Sequence, residues 1–301
     1  MTDIALLDGG TGQEIYKRAG KPRTKLWSVE VQLRDPDIVT AVHLDFIRAG
    51  CRTLTLNTYT ATPTRLEAAG IIDRQQEIFN GAKAAMESAI ASSGAVIERA
   101  GCLPPLHGSY LPNPPRRYDS MVPEYQKLCE LQSDMDVLLI ETMTNSTEAR
   151  AACAAANQSG IPYTLGIRVE PNGLLRSGET LEACIDACLP FAPKGIWLNC
   201  SAPEDITAAL PQLRGYNLPY GGYANGFISV EALAAGQSVA LLGERSDVSP
   251  QRYADLTFEW AELGARLIGG CCEVSPDHLR ATAEQLTARG YQLAGVAKGL
   301  L

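Results

Sequence analysis

Apolar, partly β-branched runs of seven or eight residues recur along the chain, separated by longer segments whose apolar positions return every three or four residues. The runs are IALLDGG (4–10), TLTLNTY (53–59), AVIERAG (95–101), VLLIETM (137–143), YTLGIRV (163–169), GIWLNCS (195–201), YGGYANG (220–226) and ARLIGGCC (265–272). They predict eight strands. Between the first two, DIVTAVHLDFIRAG sets Val39, Val42, Phe46 and Ile47 on one helical face, with Gly50 placed to end the helix. Helix-start chemistry follows several strand exits: Asn145 three residues before Glu148, Ser201 ahead of Pro203 and Glu204, and Ser275 ahead of Pro276 and Asp277. Eight βα units in 301 residues predict an α/β fold, a (β/α)8 TIM barrel, as a single domain over residues 1–301. A doubly wound open sheet would carry fewer strands and a nucleotide loop, and LLDGGTGQE lacks the G-x-G-x-x-G spacing. No low-complexity stretch, short repeat or linker divides the chain, and segments 111–118 and 226–249 read as long loops at the barrel top.

Composition narrows the partners. A net charge of −8 opposes nucleic acid and anionic membrane surfaces, so small molecules are the expected ligands. The N-terminal MTDIALLDGG has no basic segment leading into an apolar one, and no run of 18 apolar residues occurs, which predicts a cytoplasmic protein. Nine cysteines is an odd number in a core-rich chain and argues against a disulfide framework.

A barrel opens the C-terminal ends of all its strands on one face. Asp8, Asn57, Glu141, Cys200, Asn225 and the Cys271–Cys272 pair all fall at such ends. Taken singly, a strand cysteine is ordinary core filling, and adjacent cysteines are a redox-sensitive feature. Neighbours on a regular strand point to opposite faces, so Cys271 and Cys272 can share an ion only where Gly269 and Gly270 let the backbone leave strand geometry. Three thiolates with an open fourth position is the pattern of catalytic zinc. Asp8 and Glu141 close apolar runs, where a carboxylate needs a partner. His43, His107 and His278 read as structural, and Cys184 and Cys188 as one face of an amphipathic helix.

The segments LLDGGTGQE, LWSVE, TYTATP, ETMTNSTEA, WLNCSAPE and LIGGCCEVSPDHL together resemble the homocysteine S-methyltransferase family, over residues 4–285. The resemblance implies a (β/α)8 barrel in which Cys200, Cys271 and Cys272 bind zinc and zinc binds the homocysteine thiolate. It also implies that Asp8 and Glu141 hold the substrate amino group and that Gly9 and Gly10 approach it with their backbone. One departure is Glu273-Val274-Ser275-Pro276 after the cysteine pair, where the family has Gly or Arg followed by Thr-Thr-Pro. The eight βα units leave no length for folate or cobalamin modules, so the expected donor is a small onium compound. S-methylmethionine comes first, S-adenosylmethionine second and betaine third, with Trp27 and Tyr59 offering aromatic faces to the cation. Asn57 and Asn225 complete the expected substrate pocket. The open alternatives are a betaine-type or selenocysteine methyltransferase, a barrel hydrolase using zinc-bound water, and a silent amino-acid binder. The expected assembly is a monomer or small homo-oligomer.

Overall fold

The computed structural model describes residues 3–22, 26–113, 116–234, 239 and 242–299. Among these, nine parallel strands form one sheet: β1 (Asp3–Leu6), β2 (Thr53–Thr55), β3 (Glu98–Leu103), β4 (Val137–Met143), β5 (Tyr163–Ile167), β6 (Ile196–Asn199), β7 (Tyr220–Tyr223), β8 (Leu267–Ile268) and β9 (Gln292–Ala294). Their order is β2-β3-β4-β5-β6-β7-β8-β1-β9. A parallel bridge from Leu7 to Thr53 joins β1 back to β2. There Arg52 N donates to Leu6 O (2.8 Å) and Asp8 N to Thr53 O (3.1 Å). The first eight strands thus form a TIM barrel within a single α/β domain.

Around the sheet run α1 (Thr11–Arg18), α2 (Ser28–Arg34), α3 (Pro36–Arg48), α4 (Pro63–Ala69), α5 (Gln75–Ser93), α6 (Tyr118–Leu131), α7 (Ser146–Ser159), α8 (Leu181–Cys188), α9 (Pro203–Ala209), α10 (Glu231–Ala234), α11 (Pro250–Glu262), α12 (Pro276–Ala288) and α13 (Val296–Gly299). The face predicted for α3 is the buried one, and Gly50 follows the helix at φ 108°, a conformation open to glycine. Asn145 caps α7 by accepting from Glu148 N (2.8 Å), and Ser275 caps α12 in a reciprocal pair with His278. Ser201 does not cap α9, which starts after Ala202; its hydroxyl accepts from Val169 N (2.9 Å) and ties the tops of β5 and β6 together. No helix among the described residues is long and apolar enough to cross a membrane.

Strand alternation builds two cores. Ile4 and Leu6 face the helices, whereas Ala5 and Leu7 point into the barrel with Ala100, Val137, Leu139, Trp197, Tyr223 and Leu267. Trp197 and Tyr223 stack edge to face at 5.0 Å, and the Tyr223 hydroxyl donates upward to Glu141 Oε1 (3.1 Å). The barrel core is therefore also the floor of whatever occupies the top.

The sequence pattern did not predict β9 or α13. β9 pairs with the start of β1, and Val296 then enters the barrel interior from below, fully buried. The Glu98 carboxylate accepts from Ala297 N (2.7 Å) and Lys298 N (3.0 Å), while Val296 N donates to Thr53 Oγ1 (2.9 Å). Val296→Ala removes two buried methyl groups and is expected to cost about 2 kcal/mol in denaturant unfolding, and Val296→Asp more. Unchanged stability in both variants would show that this plug is not packed.

Candidate functional site

The site is assembled by loops of the first and last barrel strands lying against each other. Gly10 N donates to Val274 O (2.9 Å), and Gly270 N donates to Asp8 O (3.0 Å). A side chain on Gly10 would stand 2.7 Å from Cys271 O, and one on Gly9 would stand 2.3 Å from Val274 O. Only glycine permits that approach. β8 stops at Ile268, so Cys271 and Cys272 lie in a turn rather than on a ladder. Cys271 N donates to Ala224 O (2.9 Å) and Gly226 N to Cys272 O (2.8 Å), which hang this turn on the loop after β7.

Cys200 follows β6 in the left-handed region at φ 53°. Its N–H donates to Tyr223 O (3.0 Å), and its carbonyl accepts from Asn225 Nδ2 (2.7 Å). The consequence is convergence: the Sγ atoms of Cys200, Cys271 and Cys272 all lie within 4.8 Å of one another, with Cys200 and Cys271 2.8 Å apart. No other His, Cys, Asp and Glu trio among the described residues gathers this closely. The span is the one required of ligands ~2.3 Å from a single zinc ion, and a soft all-sulfur set suits zinc rather than magnesium or calcium. The Tyr110 hydroxyl, 3.1 Å from Cys200 Sγ, is the thiol's other polar neighbour. Hydrogen bonds from Cys271, Cys272 and Tyr110 hold the Cys200 thiol well below its ordinary range, whereas hydrogen bonding to Cys200, burial and the Cys200 charge push Cys271 and Cys272 up. A cation among the three sulfurs would offset the charge that builds up as they ionise.

The thiols open on a cavity of about 330 Å³ that Asp8, Gly9, Gly10, Trp27, Asn57, Tyr59 and Glu141 also line. Asp8 is only 2% exposed; burial pushes its carboxyl up to about 7 against hydrogen bonds from Thr55 and Thr11. Glu141 keeps contact with the cavity, but protein surrounds it at depth. Burial likewise raises it to about 7, opposed by hydrogen bonds from Cys102 and Tyr223. Asn57 reaches the wall, but its amide is engaged by Ser28 and Gln32 of α2. Asn225 does not line the cavity: its side chain bonds Cys200 O and Phe227 N and sets the backbone instead. The ring of Trp27 packs on Gly12. Tyr59 already carries the Arg65 guanidinium over its ring, 5.4 Å from the centroid.

Glu273 is held at its carboxylate by α1, although its charge still reaches Cys272. It accepts from Gln13 Nε2 (2.6 Å) and pairs with Lys17 of α1. Its own φ is 65°, and Trp27, Tyr110, Thr142 and Cys200 on the cavity wall share positive φ values. Each such residue stores roughly 1–3 kcal/mol, so strain concentrates where the ligand would sit. Further wall residues, Tyr16, Arg65, Cys102, Tyr110, Thr142, Tyr223, Leu233 and Val239, escaped sequence reasoning. Of these Tyr223, Cys102 and Thr142 lie at strand ends and so carried a positional signal.

The sequence profile of the homocysteine S-methyltransferase family matches residues 5–286. This chain belongs to that family. The Escherichia coli (strain K12) homocysteine S-methyltransferase is 29% identical over 306 residues, covering 93% of this chain and 94% of the relative. The selenocysteine Se-methyltransferase of Brassica oleracea var. italica is 23% identical over 321 residues, covering 95% and 89%. Among solved structures, the metallated form of the Escherichia coli homocysteine methyltransferase MmuM superposes with a TM-score of 0.77 at 25% identity, covering 94% of this chain and 96% of that one. Its oxidized form gives 0.76 at 27%, covering 96% and 97%. Family membership makes this chain a methyltransferase and removes the hydrolase and silent-binder alternatives.

The pushed-up carboxylates have a measurable cost in the metal-free, ligand-free protein. Glu141 ionises near its ordinary 4.5 when unfolded but near 7 when folded, so the penalty is absent below about 4.5 and complete above about 7. Glu141→Gln is expected to raise unfolding stability at pH 8 and leave it unchanged at pH 4. Equal effects at both pH values in denaturant titrations would refute this origin.

Proposed function

We propose that the protein moves a methyl group from a small sulfonium donor, S-methylmethionine first, to the thiolate of homocysteine, giving methionine. The observation that carries this reading is the meeting of three cysteine sulfurs and two carboxylates lacking cationic partners in one small cavity. In this reading the whole chain is one homocysteine-binding barrel. Cys200, Cys271 and Cys272 hold a zinc ion, whose chemistry when bound is to favour the thiolate form of a thiol acceptor that otherwise ionises near 8.5.

The chain's own residues do the rest. Asp8 and Glu141 accept the acceptor's ammonium, and pairing with that cation returns both carboxylates to the ionised form. The backbone of Gly9 and Gly10 lets the amino acid lie close to the thiol turn. Phe227, Val230, Leu233 and Val239 pack around Cys200, Cys271 and Cys272 and keep water from the sulfurs. Donor and acceptor are then held for in-line displacement, and much of the acceleration comes from that positioning. A cavity of about 330 Å³ lies at the lower end for small-molecule sites and suits amino-acid-sized ligands. The Glu273 pair with Lys17 offsets an anionic charge next to the cysteine pair.

Purified protein is expected to carry about one zinc per chain. Cys200→Ala, Cys271→Ala and Cys272→Ala variants that remain folded by circular dichroism should lose it; full zinc retention in them would overturn the ligand assignment. Glu141→Ala should weaken homocysteine binding by roughly 2–4 kcal/mol with zinc content unchanged, measured by calorimetry and metal analysis. The donor is decided by methionine formation from homocysteine against a panel. Turnover with S-methylmethionine supports the reading, and turnover only with betaine or methyl-folate, or only with a selenol acceptor, replaces it.

A further inference from the structure

Among the described residues the charged groups of the cavity are not paired with one another. The carboxylates of Asp8 and Glu141 receive hydrogen bonds there from neutral groups, the threonines 11 and 55, Cys102 and Tyr223. On the same cavity wall stands the guanidinium of Arg65 on α4. Its NH1 group donates to Tyr59 O (3.0 Å), its NH2 group donates to Ser109 Oγ (3.3 Å), and the group lies over the Tyr59 ring. Among the described residues these partners are all neutral. A half-buried arginine in a chain of net charge −8 would ordinarily pair directly with a carboxylate; among the described residues this one makes no ion pair, and the acid that feels its charge, Glu148, is held by Leu106 N and the Tyr125 hydroxyl instead.

Two of the five guanidinium N–H groups are used, so three remain. The held orientation is already fixed: Ser109 Oγ also lies 2.9 Å from the Tyr59 hydroxyl, which closes a small network around the fork. Two carboxylates and one guanidinium that share a cavity and make no ion pair among the described residues are the complement of a zwitterion. We propose that Arg65 receives the α-carboxylate of an amino-acid ligand, making it a specificity-determining residue that selects zwitterions over bare onium cations. A guanidinium at this wall repels a cation that brings no carboxylate, so onium donors lacking one are disfavoured. The inference rests on the methyl-transfer reading only for the names of the ligands, homocysteine and S-methylmethionine, both of which carry an α-carboxylate.

The test uses the zinc-loaded protein and pairs each ligand with its decarboxylated counterpart: homocysteine with 3-aminopropanethiol, and S-methylmethionine with (3-aminopropyl)dimethylsulfonium. Binding is measured by calorimetry in the parent, Arg65→Met and Arg65→Lys, with folding checked by circular dichroism. Arg65→Met is expected to weaken the carboxylate-bearing ligand about 10- to 100-fold, the range for a hydrogen bond to a charged group. It should not weaken the decarboxylated partner, which is relieved of the guanidinium's repulsion and is held equally or more tightly, and Arg65→Lys should restore part of the loss. Loss confined to homocysteine assigns the carboxylate to the acceptor, and loss confined to S-methylmethionine assigns it to the donor. Equal weakening of both members of each pair, or no weakening at all, overturns the proposal. Calorimetry needs no turnover, so an enzyme that forms no methionine refutes the methyl-transfer reading while leaving this arm decided.

Discussion

The architecture at the barrel top depends on one close backbone contact. The chain through Gly9 and Gly10 lies against the carbonyls of Cys271 and Val274, at distances no side chain would tolerate. Because β1 and β8 are neighbours in the ring, this contact joins the beginning of the chain to its last βα unit and sets Asp8 and the cysteine pair on one cavity. Loosening it would move a carboxylate and two sulfurs together, since Gly10 N and Gly270 N hold the two loops by reciprocal hydrogen bonds. The cysteine pair can share one ion only because the strand stops two residues before it, and the glycines are what let it stop.

The same constraint explains why the top is strained while the bottom is ordinary. Below, Val296 and the barrel-facing aliphatics are satisfied by packing, and Glu98 by backbone N–H groups. Above, five residues hold left-handed backbone, and among the described residues two desolvated carboxylates and one guanidinium make no ion pair. Each feature lowers stability by itself, and a ligand of opposite charge would relieve the unpaired groups but not the backbone strain. The packed barrel supplies the rigidity that keeps these unfavourable groups in place, beginning with the Trp197–Tyr223 stack beneath Glu141.

Much of this was legible in the residues, and what was not has identifiable causes. The eight βα units were readable because buried parallel strands make continuous apolar runs and their exits carry capping residues such as Asn145 and Ser275. The strand ends Asp8, Glu141, Cys200 and the cysteine pair could be placed on one face because the fold itself puts them there, and the family resemblance supplied their roles. Three-residue β9 has no run to detect, and its place beside β1 is set by long-range packing. Reading β3 three residues early hid Cys102, the hydrogen-bond partner of Glu141. Asn225 sits at a strand end yet turns to the Cys200 carbonyl, a choice of rotamer that periodicity does not encode. Arg65 and Tyr110 lie outside the strands, where alternation says nothing about which way a side chain faces.

Glu273 shows how a local sequence departure is absorbed by tertiary contacts. An acidic residue directly after two cysteines would compete for any cation they held if its side chain followed theirs. Its left-handed backbone instead sends the carboxylate back toward α1, where Gln13 and Lys17 take it, and Lys17 also reaches Glu244 (3.3 Å) on the loop after β7. The acid therefore ties the thiol turn to a helix and a loop while Lys17 offsets its charge. Arg65 presents the opposite case beside Tyr59: among the described residues its guanidinium makes hydrogen bonds to neutral groups and no ion pair. One charge is paired within the protein, and the other faces the cavity with donors to spare.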